Sequence, residues 1–179
     1  MLLEPDNPAT LAADANELSV LVLCTGNSAR SIMAEVLFNH LGAGRFRAYS
    51  AGSTPTGKVN PYAREQIDAS EARGFVTRSK SWHEFAKEGS PVIDVVVTVC
   101  ANAAAETCPR FPGAPEYVHW GLPDPAAVQG EPEEIRAAFQ TCFERLHARI
   151  NTLLSRLKAS DGRLEVAAAM RALAADERS

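Results

Sequence analysis

Apolar and polar positions switch between two spacings along the chain. Val20–Leu23 is a short continuous apolar run. After a polar loop, Ala29–Leu41 carries its apolar residues at helical spacing and stops at Gly42 and Gly44. Phe46–Ala51 reads as a second strand, followed by the loop signals Gly52, Pro55 and Gly57. Residues 61–73 read as a helix, with Pro61 in its first turn and Gly74 beyond its end. Ser79–Phe85 reads as a turn and short helix, in which Ser81 and Glu84 have capping-box spacing. Asp94–Cys100 is nearly continuous in β-branched residues, as in a parallel strand covered on both faces. Ala101–Thr107 favours helix until Pro109 and Pro112, and Glu116–Trp120 is a fourth strand. From about Glu131 to Lys158, Ile135, Phe139, Cys142, Leu146, Ile150, Leu153 and Leu157 fall on one helical face. The alternation predicts an α/β fold with a four-stranded parallel sheet flanked by helices.

The ends read differently. Residues 1–18 hold no sustained pattern and are expected to form a flexible leader, with the main domain over 19–159. Residues 160–162 break the pattern, and Arg163–Ala175 is a second helical stretch within a tail over 160–179.

Composition narrows the function classes. An apolar fraction of 46% is ordinary for a chain that buries a core. The net charge of −4, with dispersed Lys and Arg, argues against nucleic acid or an anionic membrane as partner. Neither a signal peptide nor a membrane-spanning run is present, so a cytoplasmic monomer is expected. Four cysteines in 179 residues are too few for a disulfide framework; in a reducing compartment they serve catalysis, redox chemistry or packing.

The segment joining the first strand to its helix carries the chemistry: Cys24, Thr25, Gly26, Asn27, Ser28, Ala29, Arg30 and Ser31. A loop running into a helix N-terminus aims several N–H groups at one point, where the helix dipole adds positive charge. Gly26 permits close backbone approach and Asn27 tolerates a left-handed conformation. Arg30 offers a planar fork of donors matched to two oxygens of a tetrahedral oxyanion. The same cradle is expected to lower the Cys24 pKa, to within about 3.5–7.5. Ser31 is placed to donate to that sulfur. A buried structural cysteine beside a surface arginine is the bland alternative, and the ordered sequence of strand, Cys, Gly-Asn, Arg-Ser and helix favours an oxyanion site with a nucleophilic thiolate.

Ligands of open parallel sheets bind beyond the carboxyl ends of the strands. Cys24 follows the first strand, Cys100 ends the third and Asp124 lies just past the fourth, so the topology brings all three to one rim. Asp124, between Pro123 and Pro125, is a candidate general acid. If 101–107 is helical, Cys100 and Cys108 lie about 12 Å apart, eight residues at ~1.5 Å each. A disulfide needs Cα atoms within about 7 Å. Either the two never pair, or the segment between them unwinds when they do. Cys142 sits on the apolar stripe of the long helix and is expected in the core. His83 and His119 are assigned structural roles, and the histidines show no zinc spacing.

Four separated motifs now stand in order: Cys24-Thr-Gly-Asn-Ser-Ala-Arg30-Ser31-Ile-Met-Ala-Glu35, Thr98-Val-Cys100, Cys108-Pro109, and His119-Trp120-Gly-Leu-Pro-Asp124-Pro125. Over about residues 19–158 the chain resembles the thioredoxin-coupled arsenate reductases built on the low-molecular-weight protein tyrosine phosphatase fold. The resemblance implies that Cys24 attacks arsenate held by Arg30 and the loop amides, while Asp124 assists loss of a hydroxyl. It implies that Cys100 then attacks the Cys24 sulfur, releasing arsenite, and that Cys108 attacks Cys100 to move the disulfide outward. No tightly bound cofactor is implied; reducing equivalents come from thioredoxin, or from glutathione with glutaredoxin. Position 29 is alanine where some relatives have another cysteine. Ala103, Ala104 and Ala105 are helix-favouring in the segment that would unwind. Asn27 and Glu35 match part of a potassium site found in some relatives, and no metal site is expected here. The rival reading is a phosphatase acting on phosphotyrosine, since the loop alone does not separate phosphate from arsenate. The extra thiols and Ala126-Ala127, where phosphatases of this fold tend to carry aromatic residues, favour the reductase. A non-catalytic oxyanion-binding or redox-sensing module is a third reading, and has no use for a general acid.

Overall fold

A computed structural model describes residues 17–177. Four parallel strands, β1 (Leu18–Cys24), β2 (Phe46–Gly52), β3 (Val95–Thr98) and β4 (Glu116–His119), form one sheet in the order β2-β1-β3-β4. Between and after them run α1 (Arg30–Leu41), α2 (Pro61–Ala69), α3 (Ala101–Ala105), α4 (Pro132–Arg156) and α5 (Arg163–Asp176). The expected α/β fold is therefore the observed one.

The strands read as continuous apolar runs because both faces are covered. Val20, Val22 and Cys24 of β1, with Val95 and Val97 of β3, face the core shared by α1, α2, α4 and α5. Leu21, Leu23 and Val96 face the opposite side, closed by Trp82, Phe85, Ile93 and Phe111. Trp82 and Phe85 come from the short 3-10 turn Trp82–Phe85. Helix α1 is buried almost all round, through Ile32, Met33, Ala34, Val36, Leu37 and Phe38, because it lies between the sheet, α2 and α4.

Several boundaries differ from the reading above, each for a local reason. Helix α2 ends at Ala69 because Ser70 Oγ donates to Ile67 O at 2.8 Å and accepts Ala72 N–H at 3.1 Å, replacing helical bonds with side-chain ones. Ser81 caps the 3-10 turn through His83 N–H rather than pairing with Glu84, whose carboxylate binds Arg78 at 2.7 Å. Asp94 lies outside β3 because its carboxylate accepts Ser19 N–H at 2.8 Å. Strand β1 begins at Leu18, within the expected leader; residues 1–16 of that leader lie outside the described residues. Helix α5 sends Val166, Ala167, Met170 and Leu173 into the same core as α1 and α4.

Candidate active site

The loop from Cys24 to Ser31 takes its shape from where its carbonyls go. Thr25 O accepts Thr54 N–H, Gly26 O accepts Thr56 N–H and Ser28 O accepts Asn60 N–H, at 3.0, 3.0 and 2.8 Å. With the carbonyls turned outward to residues 54–60, the loop amides are left for the inside. Ala29, the residue before α1, provides no side-chain cap. The N–H groups of Gly26 to Ser31 have no acceptor among the described residues. An uncapped helix start with converging donors is an anion cradle. Gly52 allows the loop to sit against β2: a Cβ there would lie 2.4 Å from Thr25 O.

Asn27 is the loop's keystone. It has φ +43°, a left-handed conformation that asparagine tolerates, and is fully buried. Its Nδ2 donates to Ser31 Oγ at 2.9 Å and Ser50 Oγ at 3.0 Å, and its Oδ1 accepts Lys80 N–H at 2.8 Å. Ser31, expected to donate to Cys24, is thus engaged by Asn27 as an acceptor. Ser50 Oγ donates to Glu35 Oε2. Lys80 Nζ, buried, lies 3.6 Å from the same Glu35 oxygen and donates to Arg78 O at 3.1 Å. Burial raises the Glu35 carboxyl above its ordinary range and lowers the Lys80 ammonium, each opposed by the charge of the other. A monovalent cation at Asn27 and Glu35 does not fit this arrangement, because the Lys80 ammonium already supplies the positive charge against Glu35. Sequence reasoning singled out Asn27 and Glu35 and missed Lys80 and Ser50, which lie far along the chain.

Arg30, Asp124, Cys24 and Cys100 come together at the rim as the topology predicts. They line a cavity of about 170 Å³ with the loop residues, Asn102 and Ala126, and none of its lining residues is aromatic. Arg30 Nη1 donates to Leu122 O at 2.9 Å and Nη2 lies 3.3 Å from Asp124 Oδ2. Its buried Nε has no partner among the described residues, which leaves a donor of the fork for an anion. Asp124 caps the turn at Pro125–Ala127 by accepting Ala126 N–H at 3.0 Å, while its side chain stays partly exposed. Asn102 and the Leu122 carbonyl carry no motif signal of their own.

The thiols correct one expectation. Cys24 and Cys100, both buried and unbridged, line the same cavity, and each thiol acts on the ionisation of the other. The Cys100 thiol, followed by burial, raises the Cys24 thiol far above its ordinary value, with Arg30 opposing. Cys24 in turn pulls Cys100 down to about 5, aided by Ala103 N–H at 3.3 Å from its sulfur and by Thr25 Oγ1 at 3.6 Å. The depressed pKa expected for Cys24 alone is thus a property of the Cys24–Cys100 pair. Ionisation of one thiol disfavours ionisation of its neighbour, so the pair loses its first proton easily and resists losing the second.

Cys108 stands apart. Cys100 belongs to the helix-side core, whereas half-buried Cys108 packs against the cluster on the opposite face of the sheet. Helix α3 ends at Ala105, so Glu106 is already extended and Thr107 is outside the helix. Burial raises the Cys108 thiol, as does the Glu106 charge. Cys142 is in the core as expected, its thiol pushed up to about 11 by burial. His119 Nδ1 is hydrogen-bonded to Thr98 Oγ1 at 2.8 Å, a link between β3 and β4. Among the described residues no group of three or more His, Cys, Asp or Glu could hold a metal ion, and no helix is long and apolar enough to cross a membrane.

Comparison with known proteins agrees with this geometry. A profile of the low molecular weight phosphotyrosine protein phosphatase family matches residues 19–163. An arsenate reductase of Halalkalibacterium halodurans is 36% identical over 137 residues, covering 76% of this chain and 95% of that protein. The crystal structure of an arsenate reductase from Archaeoglobus fulgidus superposes with a TM-score of 0.53 at 26% identity, over 74% of this chain and 98% of that one. A thioredoxin-dependent arsenate reductase of Corynebacterium glutamicum gives 0.50 at 25% identity, over 79% and 65%. The chain belongs to the low molecular weight phosphotyrosine protein phosphatase family, on the branch of its arsenate reductase relatives.

Proposed function

We propose that this chain reduces arsenate to arsenite through a relay of three thiols. The observation that carries the reading is the second thiol: Cys100 lines the same cavity as Cys24, Arg30 and Asp124. Hydrolysis of a phosphorylated cysteine has no use for a neighbouring thiolate, whereas reduction of As(V) requires one. A small cavity without aromatic walls also suits an inorganic oxyanion better than a phenyl phosphate.

Arsenate enters the cradle and is held by the loop amides and the free Nε of Arg30. Once the anion binds, the remaining proton of the pair rests on Cys100, which passes it to solvent before it attacks, and Arg30 stabilises the Cys24 thiolate. Cys24 attacks arsenic, and an oxygen leaves as water on receiving a proton from Asp124. The Cys100 thiolate then attacks the Cys24 sulfur. The S–As bond breaks, its electron pair stays on arsenic, and arsenite leaves as Cys24 and Cys100 become a disulfide. The Cys108 thiolate attacks Cys100 and releases Cys24 as thiolate. That step requires residues 101–107 to be remade, because the two sulfurs start on opposite faces of the sheet. The resulting Cys100–Cys108 disulfide is reduced by a dithiol protein; we infer thioredoxin, in keeping with the Corynebacterium relative, acting on a cytoplasmic monomer.

The test is NADPH consumption with arsenate, with thioredoxin and its reductase in one reaction and glutathione with glutaredoxin in another. Oxidation in the first, lost in Cys108→Ser, is the expected result. Oxidation only in the second keeps the reductase and removes Cys108 from the relay. Silence in both, with rapid hydrolysis of p-nitrophenyl phosphate, would make the chain a phosphatase.

A further inference from the structure

The loop that carries Asp124 is held from two sides, and only one of them is the Arg30 side. On the other side stands Arg149 of α4, a guanidinium whose side chain is only 5% exposed. Its centre lies 5.5 Å from the ring of Trp120, and Nη2 donates to Gly121 O at 3.5 Å. Nε donates to Glu177 Oε1 at 2.7 Å, and Nη2 also pairs with Glu177 Oε2. A buried guanidinium is costly without a carboxylate, and Glu177 is the carboxylate that pairs with Arg149 among the described residues. Glu177 follows α5 directly.

Helix α5 makes a second contact with the same loop. The buried Trp120 indole donates to Met170 O at 2.8 Å, and its ring stacks on Phe38 of α1 at 5.8 Å. Trp120 and Gly121 are thus fixed by α5 and Arg149. Leu122 and Asp124 are fixed by Arg30, with Leu122 N–H bonded to Val99 O at 3.1 Å. Nearly all of α5 lies beyond residue 163, where the family match ends.

We propose that Arg149 is a positioning residue for the acid-bearing loop, and that α5 is the element that sets it through Glu177 and the Met170 carbonyl. This rests on the assignment of Asp124 as the acid above. The tail helix acts at a distance from the oxyanion: it orients the peptide planes from Trp120 to Leu122 and so the direction in which the Asp124 carboxyl approaches the leaving oxygen. The oxyanion cradle itself, made by residues 24–31, is untouched by it.

The experiment uses the full-length chain with Glu177→Ala, Glu177→Asp and Arg149→Lys. Single-turnover arsenite release, the inhibition constant of inorganic phosphate and the thermal midpoint are measured on each. Glu177→Ala and Arg149→Lys are expected to slow arsenite release roughly fivefold to tenfold, with phosphate inhibition unchanged and Glu177→Asp restoring most of the rate. A wild-type rate at 25 °C in Glu177→Ala, accompanied only by a lower thermal midpoint, overturns the proposal and leaves α5 a structural brace. Loss of phosphate binding together with rate overturns it too, since the cradle would then depend on the tail. If the wild-type chain does not reduce arsenate, the functional reading fails by itself. The same comparison is then made on p-nitrophenyl phosphate hydrolysis, which calls on the same acid.

Discussion

Arg30 Nη2 lies 3.3 Å from Asp124 Oδ2 while Nη1 of the same guanidinium holds Leu122 O. With Arg30 as the proposed oxyanion ligand and Asp124 as the proposed acid, substrate binding and protonation share one side chain. Lysine at position 30 would keep the charge but lose the fork, and with it either the loop or the anion. Arg30→Lys is expected to raise the phosphate inhibition constant and lower turnover together. Asp124→Asn should lower turnover by about 10²-fold or more with phosphate binding little changed. Steady-state kinetics with arsenate, with phosphate as competitor, separates the two. Equal losses in both constants for Asp124→Asn would remove it as the acid.

This shared contact marks the boundary of what is legible in the chain. The strand–helix alternation, the Cys24–Ser31 loop and the gathering of Cys24, Cys100 and Asp124 follow from local pattern plus one topological rule, and all are found. Contacts made by groups without a pattern are not legible. Lys80 and Asn27 are 53 residues apart and meet through a backbone N–H and a side-chain amide, which no spacing encodes. The Leu122 carbonyl is a backbone group and has no sequence signature at all. The pairing of Cys24 with Cys100 is hidden for a related reason: the loop argues for a lowered Cys24 value, but the thiol that titrates with it belongs to another strand end. Docking of α5 was undecidable because its apolar residues, Val166, Met170 and Leu173, pack on partners from several elements.

The thiol pair makes a prediction about pH. With Cys100 near 5, the pair carries a thiolate at neutral pH, and its alkylation by iodoacetamide should fall only as pH drops through about 5. Cys108 and Cys142, both raised by burial, should be unreactive at pH 6. Cys24→Ala removes the group that lowers Cys100 most, so its midpoint moves up toward the ordinary value of about 8.5 and its alkylation rate at pH 6 falls roughly tenfold or more. Mass spectrometry of timed alkylations reads both effects. An unchanged profile in Cys24→Ala would mean that the two thiols do not share a proton.

Lys80 and Glu35 form a buried pair beneath Asn27. Lys80→Met leaves Glu35 buried without its cation and is expected to destabilise the fold by about 3 kcal/mol. Lys80→Met with Glu35→Gln should recover much of that loss, because neither charge then remains unpaired. Urea unfolding of the two variants decides the matter; equal stabilities would show that the pair is solvated and does not support the loop.

Gly52 is the point where β2 meets the oxyanion loop. A Cβ on it would stand 2.4 Å from Thr25 O and 3.0 Å from Asn27 N, both backbone atoms that cannot turn aside as a side chain would. Gly52 N–H also donates to Lys80 O at 2.9 Å, so the residue cannot retreat without loosening the Lys80 segment that holds Asn27. In Gly52→Ala the loop must therefore yield, and the converging amides lose their common focus. Overpacking of this kind costs about 1–3 kcal/mol, which a folded domain tolerates, whereas misplaced amides weaken anion binding directly. The variant is expected to fold, with a lower unfolding midpoint, and to bind phosphate at least about tenfold more weakly, by calorimetry. Phosphate binding at the wild-type level would mean that the loop amides do not make the site.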